Sequence, residues 1–310
     1  MPVLETLDLN LSSERAREVA RMVAGDMAAV RQARQEFDNN LAAYWERYEL
    51  RPPRRTLAFD QASNVRVPLI RWVIESIWVR MMRTIFGQEP YVRVIDENIR
   101  EGPPANRMEQ ALQHLALTDF DLRNRQGHIL LNALVEGTGV GKLVRAEERR
   151  TIRDRHLADV LEREIVDRVG LGLEVLDLKD FYAASAAIPW VDRQPWVAHR
   201  VWLVWDDLVR RQRDGIYTVT RAQLDKIKPL GQNRRYPTGH AIDQTKADLD
   251  KAESVGFTTL IEYEIIEMER RYDADGDGFE EDCLFAAAIG YDEVPLRAEK
   301  YPFWNGKRNY

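Results

Sequence analysis

Residues 134–144 read Leu-Val-Glu-Gly-Thr-Gly-Val-Gly-Lys-Leu-Val, with three glycines where a helical pattern meets an extended one. A phosphate-binding loop is the obvious comparison. That loop needs a glycine five positions before its Gly-Lys pair, and Ser or Thr after the pair to reach magnesium. Those positions hold Glu136 and Leu143. The order of elements is also reversed. A phosphate loop leaves a strand and enters a helix, whereas this segment leaves a helix and feeds a strand. A dinucleotide fingerprint fails on the same ground. The glycines instead predict a helix-to-strand turn that uses positive φ. This junction points away from nucleotide-binding α/β folds, and with the elements around it predicts an α+β chain.

The surrounding periodicity supplies those elements. Ser12 or Ser13 can cap a long helix carrying Val19, Met22, Val23, Met27 and Val30 at helical spacing, with Gly25 as a possible interruption. Phe37, Leu41, Tyr44, Trp45 and Tyr48 continue as an aromatic stripe, which the prolines at 52 and 53 end. Ile70, Val73, Ile74, Ile77, Trp78, Met81 and Ile85 predict one apolar helix face opposite Arg71, Glu75 and Arg83. Gly87 and Pro90 stop that helix, and 91–95 reads as a strand. A loop around Gly102 precedes two helical stretches, 106–117 and 119–135, with Gly137 at a left-handed C-cap. The charged stretch 147–169 has Leu157, Leu161, Ile165 and Val169 four apart, which fits an exposed helix or a long hairpin ended by Gly170. Strands follow at 173–178 and 196–204. Asp206 and Thr220 read as caps of short helices, and 258–289 reads as a β-hairpin around an acidic turn. The implied organisation is a helical region over 1–55, an α+β core over 56–229, a polar mobile connector over 230–257, and a hairpin module over 258–310.

Composition narrows the function. The 310 residues have a net charge of −6, with 45% hydrophobic and 31% charged side chains. That balance argues against a protein that grips nucleic acid by bulk electrostatics. Cys283 is the only cysteine, so no intrachain disulfide forms and a reducing compartment is the natural setting. The start lacks the basic and apolar pattern of a secretory signal. The most apolar window, 67–85, is broken by Arg71, Glu75, Arg80 and Arg83, which argues against a membrane span. The histidines at 114, 128, 156, 199 and 240 lack metal-ligand spacing. No Ser is adjacent to a His or Lys that would activate it. The tryptophans could stack bases, but few basic residues lie among them, so core or subunit packing is the better reading. The basic runs at 51–55, 149–155 and 210–213 sit beside acids and read as solvated faces or intersubunit ion pairs.

One segment carries a metal signal. Asp273, Asp275 and Asp277 place oxygens at positions 1, 3 and 5 of a calcium loop, with Gly278 at position 6. The second half of the loop is missing, because position 12 is Leu284 instead of a bidentate Glu. Flanking β pattern replaces flanking helices. Asp-Gly is equally good chemistry for a tight hairpin turn, and the turn is the better-matched reading.

Taken in order, these segments resemble the portal proteins of tailed bacteriophages. The opening helix with Tyr44, Trp45 and Tyr48 is similar to the family's N-terminal region. Residues 67–76, closing on Ile-Phe-Gly-Gln-Glu-Pro at 85–90, resemble the helix and turn of the portal wing. Residues 136–144 resemble the family's glycine-lysine turn. Residues 175–186 and 205–217, the Asp-rich hairpin and Tyr-Pro-Phe at 301–303 complete the series. The resemblance covers most of 58–310. It implies a structural subunit, not an enzyme, in a homo-oligomeric ring of usually twelve copies at one capsid vertex. Such a ring is assembled in the host cytoplasm and belongs to the virion. Double-stranded DNA passes through its channel, driven by a separate terminase ATPase, while capsid or scaffold and tail adaptor proteins dock around it. It needs no cofactor. The family's stem, clip and crown follow the Pro-Phe region, so the resemblance also implies that this chain is a piece of a longer protein.

Overall fold

The computed structural model describes residues 8–50, 67–91, 93–94, 103–118, 120–156, 159–188, 190–227, 262–274, 276–301, 308 and 310. The basic run at 51–55, the connector at 230–257 and Asp275 lie outside them. The chain is α+β. Its elements are α1 (Ser13–Ala33), α2 (Gln35–Tyr48), α3 (Leu69–Phe86), α4 (Pro103–Thr118), α5 (Leu122–Glu136), β1 (Val140–His156), β2 (Asp159–Leu176), β3 (Phe181–Ala183), β4 (Trp196–Val204), α6 (Trp205–Arg213), α7 (Arg221–Leu224), β5 (Glu262–Tyr272), β6 (Glu281–Ala288) and β7 (Arg297–Lys300). They form two compact units. The first joins Met1–Arg55 to Leu178–Arg308, and the second is Thr56–Asp177 with Asn309–Tyr310. The structure adds a break after Asp177 inside the expected core.

The first unit is built on an antiparallel sheet of order β3-β4-β5-β6-β7. The strands expected as a separate module at 258–310 are three of its five, paired through β5 to β4. Both faces are covered. Val19, Val23 and Met27 of α1 pack on Trp196, Ala198, Ile266, Met268 and Phe285. Leu208 of α6 and Leu224 of α7 pack with Tyr217 on Leu203, Ile265, Ala286 and Ala288. Successive strand residues face opposite ways, so Ile265 and Ile266 enter different cores. A sheet buried on both faces needs no polar alternation, and Cys283 to Ala288 are all buried accordingly.

The helix ends follow local chemistry. Ser12 caps α1, its Oγ accepting the Arg15 N–H at 3.4 Å. Gly25 does not interrupt the helix; the break falls at Arg34. The Arg34 guanidinium donates to the carbonyls of Leu178, at 3.0 Å, and Phe181, which fixes that corner to the chain entering β3. The aromatic stripe of α2 is only half buried: Leu41 and Tyr48 are inside, Phe37 and Tyr44 are exposed. Asp206 is not a cap. It lies in the first turn of α6, after Val204 at the cap position, where the helix dipole favours an acid. Thr220 and Gln223 form a reciprocal capping box on α7.

In the second unit α5 is the hub, touching α3, α4 and the base of the β1–β2 hairpin. The stretch 147–169 is hairpin and not helix. Pairing runs from Val140↔Leu176 to His156↔Asp159, with a register shift at Glu148/Arg149. Gly170 does not end it but pairs with Ala146 inside the ladder. Pro103 opens α4 instead of sitting in a loop, a position where the missing N–H is harmless. The strand expected at 91–95 is not seen in its described residues. Side chains of α4 take the donors it would have used. Gln113 Oε1 accepts the Tyr91 N–H at 2.9 Å, and Glu109 Oε2 accepts the Val94 N–H at 3.3 Å.

Candidate functional site

The glycine-lysine turn is a close-packed connector. Gly137 has φ 86° and its N–H reaches Ala133 O at 2.9 Å, as a left-handed C-cap requires. Gly139 serves a different need, because a Cβ there would run into the Ile129 carbonyl. A Cβ on Gly141 would come within 2.7 Å of Ile129 Cδ1. Lys142 is buried, with its ammonium 5.4 Å from the Tyr310 ring centroid. Gly139→Ala is therefore expected to destabilise the chain by about 1–3 kcal/mol in urea unfolding. Gly25→Ala meets nothing within 4 Å, so it should be neutral or stabilising by up to about 1 kcal/mol.

The Asp-rich segment is held as a turn. Asp273 accepts the N–H of Gly276 and of Gly278, the latter at 3.0 Å. Asp277 accepts the Phe279 N–H at 2.8 Å, and Glu281 accepts that of Ala274 at 3.1 Å. The Arg15 guanidinium, from α1, donates to the Ala274 carbonyl. A cation from the protein itself thus already sits against this turn. Among the described residues, no group of three or more His, Cys, Asp and Glu is gathered as a metal would need. Millimolar calcium is expected to leave the thermal midpoint unmoved. A rise that a chelator reverses would favour the metal loop over the plain turn, since a ligand for the folded state must stabilise it.

A polar cluster that the sequence did not announce lies between the sheet and α6. His199 Nε2 is 3.5 Å from Glu267 Oε2. Arg211 Nη1 is 3.2 Å from Glu267 Oε1 and donates to the Tyr217 hydroxyl at 3.0 Å. Burial, reinforced by the charge of Glu267, pushes the Tyr217 phenol well above its ordinary pKa. His199 is 1% exposed, so the group works as interior fastening between α6 and β5. Arg211 had read as part of a solvated run; one guanidinium of that run turns inward. Burial likewise pushes the Cys283 thiol up to about 12, leaving it inert at neutral pH.

The surface feature that stands out is α3. Its expected single apolar face is divided. Ile74, Trp78, Met81 and Met82 are partly buried and Phe86 is fully so. Gly127 of α5 makes room for the inward half: a Cβ there would meet Met82 Cε at 3.2 Å and the Trp78 ring at 3.3 Å. Trp78 Nε1 donates to Gly127 O at 2.7 Å, which locks the rotation of the helix. The other half is uncovered. Leu69, Val73 and Ile77 form an i, i+4, i+8 stripe, 61%, 59% and 41% exposed. Ile70 and Trp72 flank it, half exposed. Together they present on the order of 500 Å² of apolar surface, the size of the largest patch on an ordinary monomer, which is often functional. Arg80 and Arg83 lie on the same exposed side. Among the described residues, no helix is long and apolar enough to cross a membrane. Compared with protein-family models and with curated proteins, the chain matches none.

Proposed function

We propose that the chain is a structural subunit of a portal-type ring at the capsid vertex of a tailed phage. The observation that carries this reading is the uncovered apolar stripe of α3. Leaving Leu69, Val73 and Ile77 in water is unfavourable by roughly 25 cal/mol per Å² of apolar surface, so a partner that covers them is favoured. The partner is a second copy of this chain. Basic residues rim the stripe, and a chain of net charge −6 offers acidic surface to receive them. The ordered series of portal-like segments supports the same reading.

In this reading the chain performs no reaction and needs no cofactor. Cyclic symmetry requires head-to-tail contacts, with a different surface on each side of every copy. The acidic balance suits a channel wall, because DNA moving through must not be held by its phosphates. Terminase, capsid or scaffold and tail adaptors would dock on the assembled ring, which becomes part of the virion. Electron microscopy of the purified protein tests the reading. Rings with a central hole are the expected outcome. Monomers at every concentration and salt would overturn it.

A further inference from the structure

The β1–β2 hairpin is a sheet of two strands, and among the described residues no third strand pairs with it. Its strands have 17 and 18 residues, which gives a ribbon of about 55 Å. Its inner end is tied down, where Ile129 and Leu173 pack near Gly141 and Arg125 donates to Leu173 O. A two-stranded ribbon in water is marginal on its own. Each of its long edges carries a row of backbone donors and acceptors ready for another strand.

The two strands differ in charge. Over 149–156, β1 holds four arginines against one acid, Asp154, a balance of +3 with His156 neutral. Its ladder partner, 159–166 of β2, holds three acids against Arg163, a balance of −2. The ribbon therefore has one basic edge strand and one acidic edge strand, complementary to each other across two copies.

The geometry points to strand addition between copies: β2 of one chain pairs along β1 of the next. The inference rests on the reading of the chain as a ring subunit. Rotation about a ring axis keeps every β1 in the same sense, so β2 of one copy runs antiparallel to β1 of its neighbour. The new junction then repeats the antiparallel ladder inside the hairpin. It also sets opposite charges opposite each other across strands, which is the stabilising arrangement. The contact is heterologous, as ring closure demands, and each added copy leaves the same two edges free for the next.

Two charge-reversed chains test it. One carries Arg149→Glu, Arg150→Glu and Arg153→Glu, so both its strands are acidic. The other carries Asp159→Arg, Glu162→Arg and Glu164→Arg, so both its strands are basic. Mass photometry should show each alone weakened in association at least tenfold relative to the unmodified chain. An equimolar mixture should regain the unmodified particle mass, in particles with alternating copies. Like charges inside each hairpin persist in the mixture, so recovery there comes only from pairing between chains. Circular dichroism of each variant separates lost folding from lost pairing. If both variants assemble as the unmodified chain does, the charged edges guard the ribbon against pairing and the inference fails. If the mixture stays dissociated, the charges act only within the hairpin and it fails again. If the unmodified chain is itself monomeric, the ring reading falls first and this inference with it.

Discussion

Replacing Val73 with aspartate is expected to weaken association between copies at least 100-fold while leaving the unfolding midpoint of the dissociated chain unchanged. Val73 lies at the centre of the exposed α3 stripe, between Leu69 and Ile77. An aspartate there is harmless in a monomer, because the position is already wet. In an interface it becomes a desolvated carboxylate among aliphatic side chains, among the most unfavourable placements in protein energetics. Interface energy also concentrates in a few central residues, and each 1.4 kcal/mol lost is a factor of ten. Sedimentation across a concentration series reads the association, and calorimetry reads the midpoint. Thr84→Asp, exposed further along the helix, serves as the control for added charge. Assembly that survives Val73→Asp would remove α3 from the contact.

Arg200→Ala is expected to destabilise the first unit by about 3–5 kcal/mol, the usual result of stripping one partner from a buried ion pair. Arg200 lies on β4, and its Nε donates to Asp180 Oδ1 at 2.6 Å. Its Nη1 is 3.9 Å from Glu264, which also pairs with Arg31 of α1. Burial works against the Arg200 charge. Asp180, Tyr182 and Glu264 outweigh it and hold the pKa above its ordinary value. Without Arg200, the Asp180 carboxyl loses its guanidinium partner. The double variant Asp180→Asn with Arg200→Met should be less destabilised than the two single changes added together, which is how coupled neighbours behave. Urea unfolding of the four chains measures the coupling. An additive result would show that the pair stabilises nothing beyond its packing.

The sequence was most readable where one surface decides. The Val19, Val23 and Met27 stripe of α1 faces the sheet, and the strand pattern at 196–204 and the hairpin pattern at 258–289 contain β4, β5 and β6. It was least readable where a distant residue decides. Apolar positions run round most of α3, and the half that turns inward is set by Gly127 on another helix. Tyr91 to Ile95 has good strand composition, but side chains of α4 take its amides. The inward placement of His199, Arg200, Glu264 and Glu267 has no local signal, since nothing in a strand itself says that both its faces are covered. Val73 and Ile77 of the α3 stripe were visible by spacing as part of one apolar face, but periodicity does not say which part of such a face a neighbour covers.

The division of the first unit matters for how the chain is made. α1 comes off the ribosome early, but the strands it packs on extend to β7, and Leu9 donates to Ala298 O at 3.1 Å. Synthesis at about 5–20 residues per second leaves α1 waiting roughly 10–60 s for that surface. Apart from Asn309 and Tyr310, the second unit is continuous over 56–177 and can largely close in the meantime. A nascent chain with residues up to Asp177 clear of the ribosome would hold one nearly finished unit and one amphipathic helix without its sheet. That interval is when the Val19, Val23 and Met27 stripe is most open to a chaperone, or to the same stripe on another nascent chain.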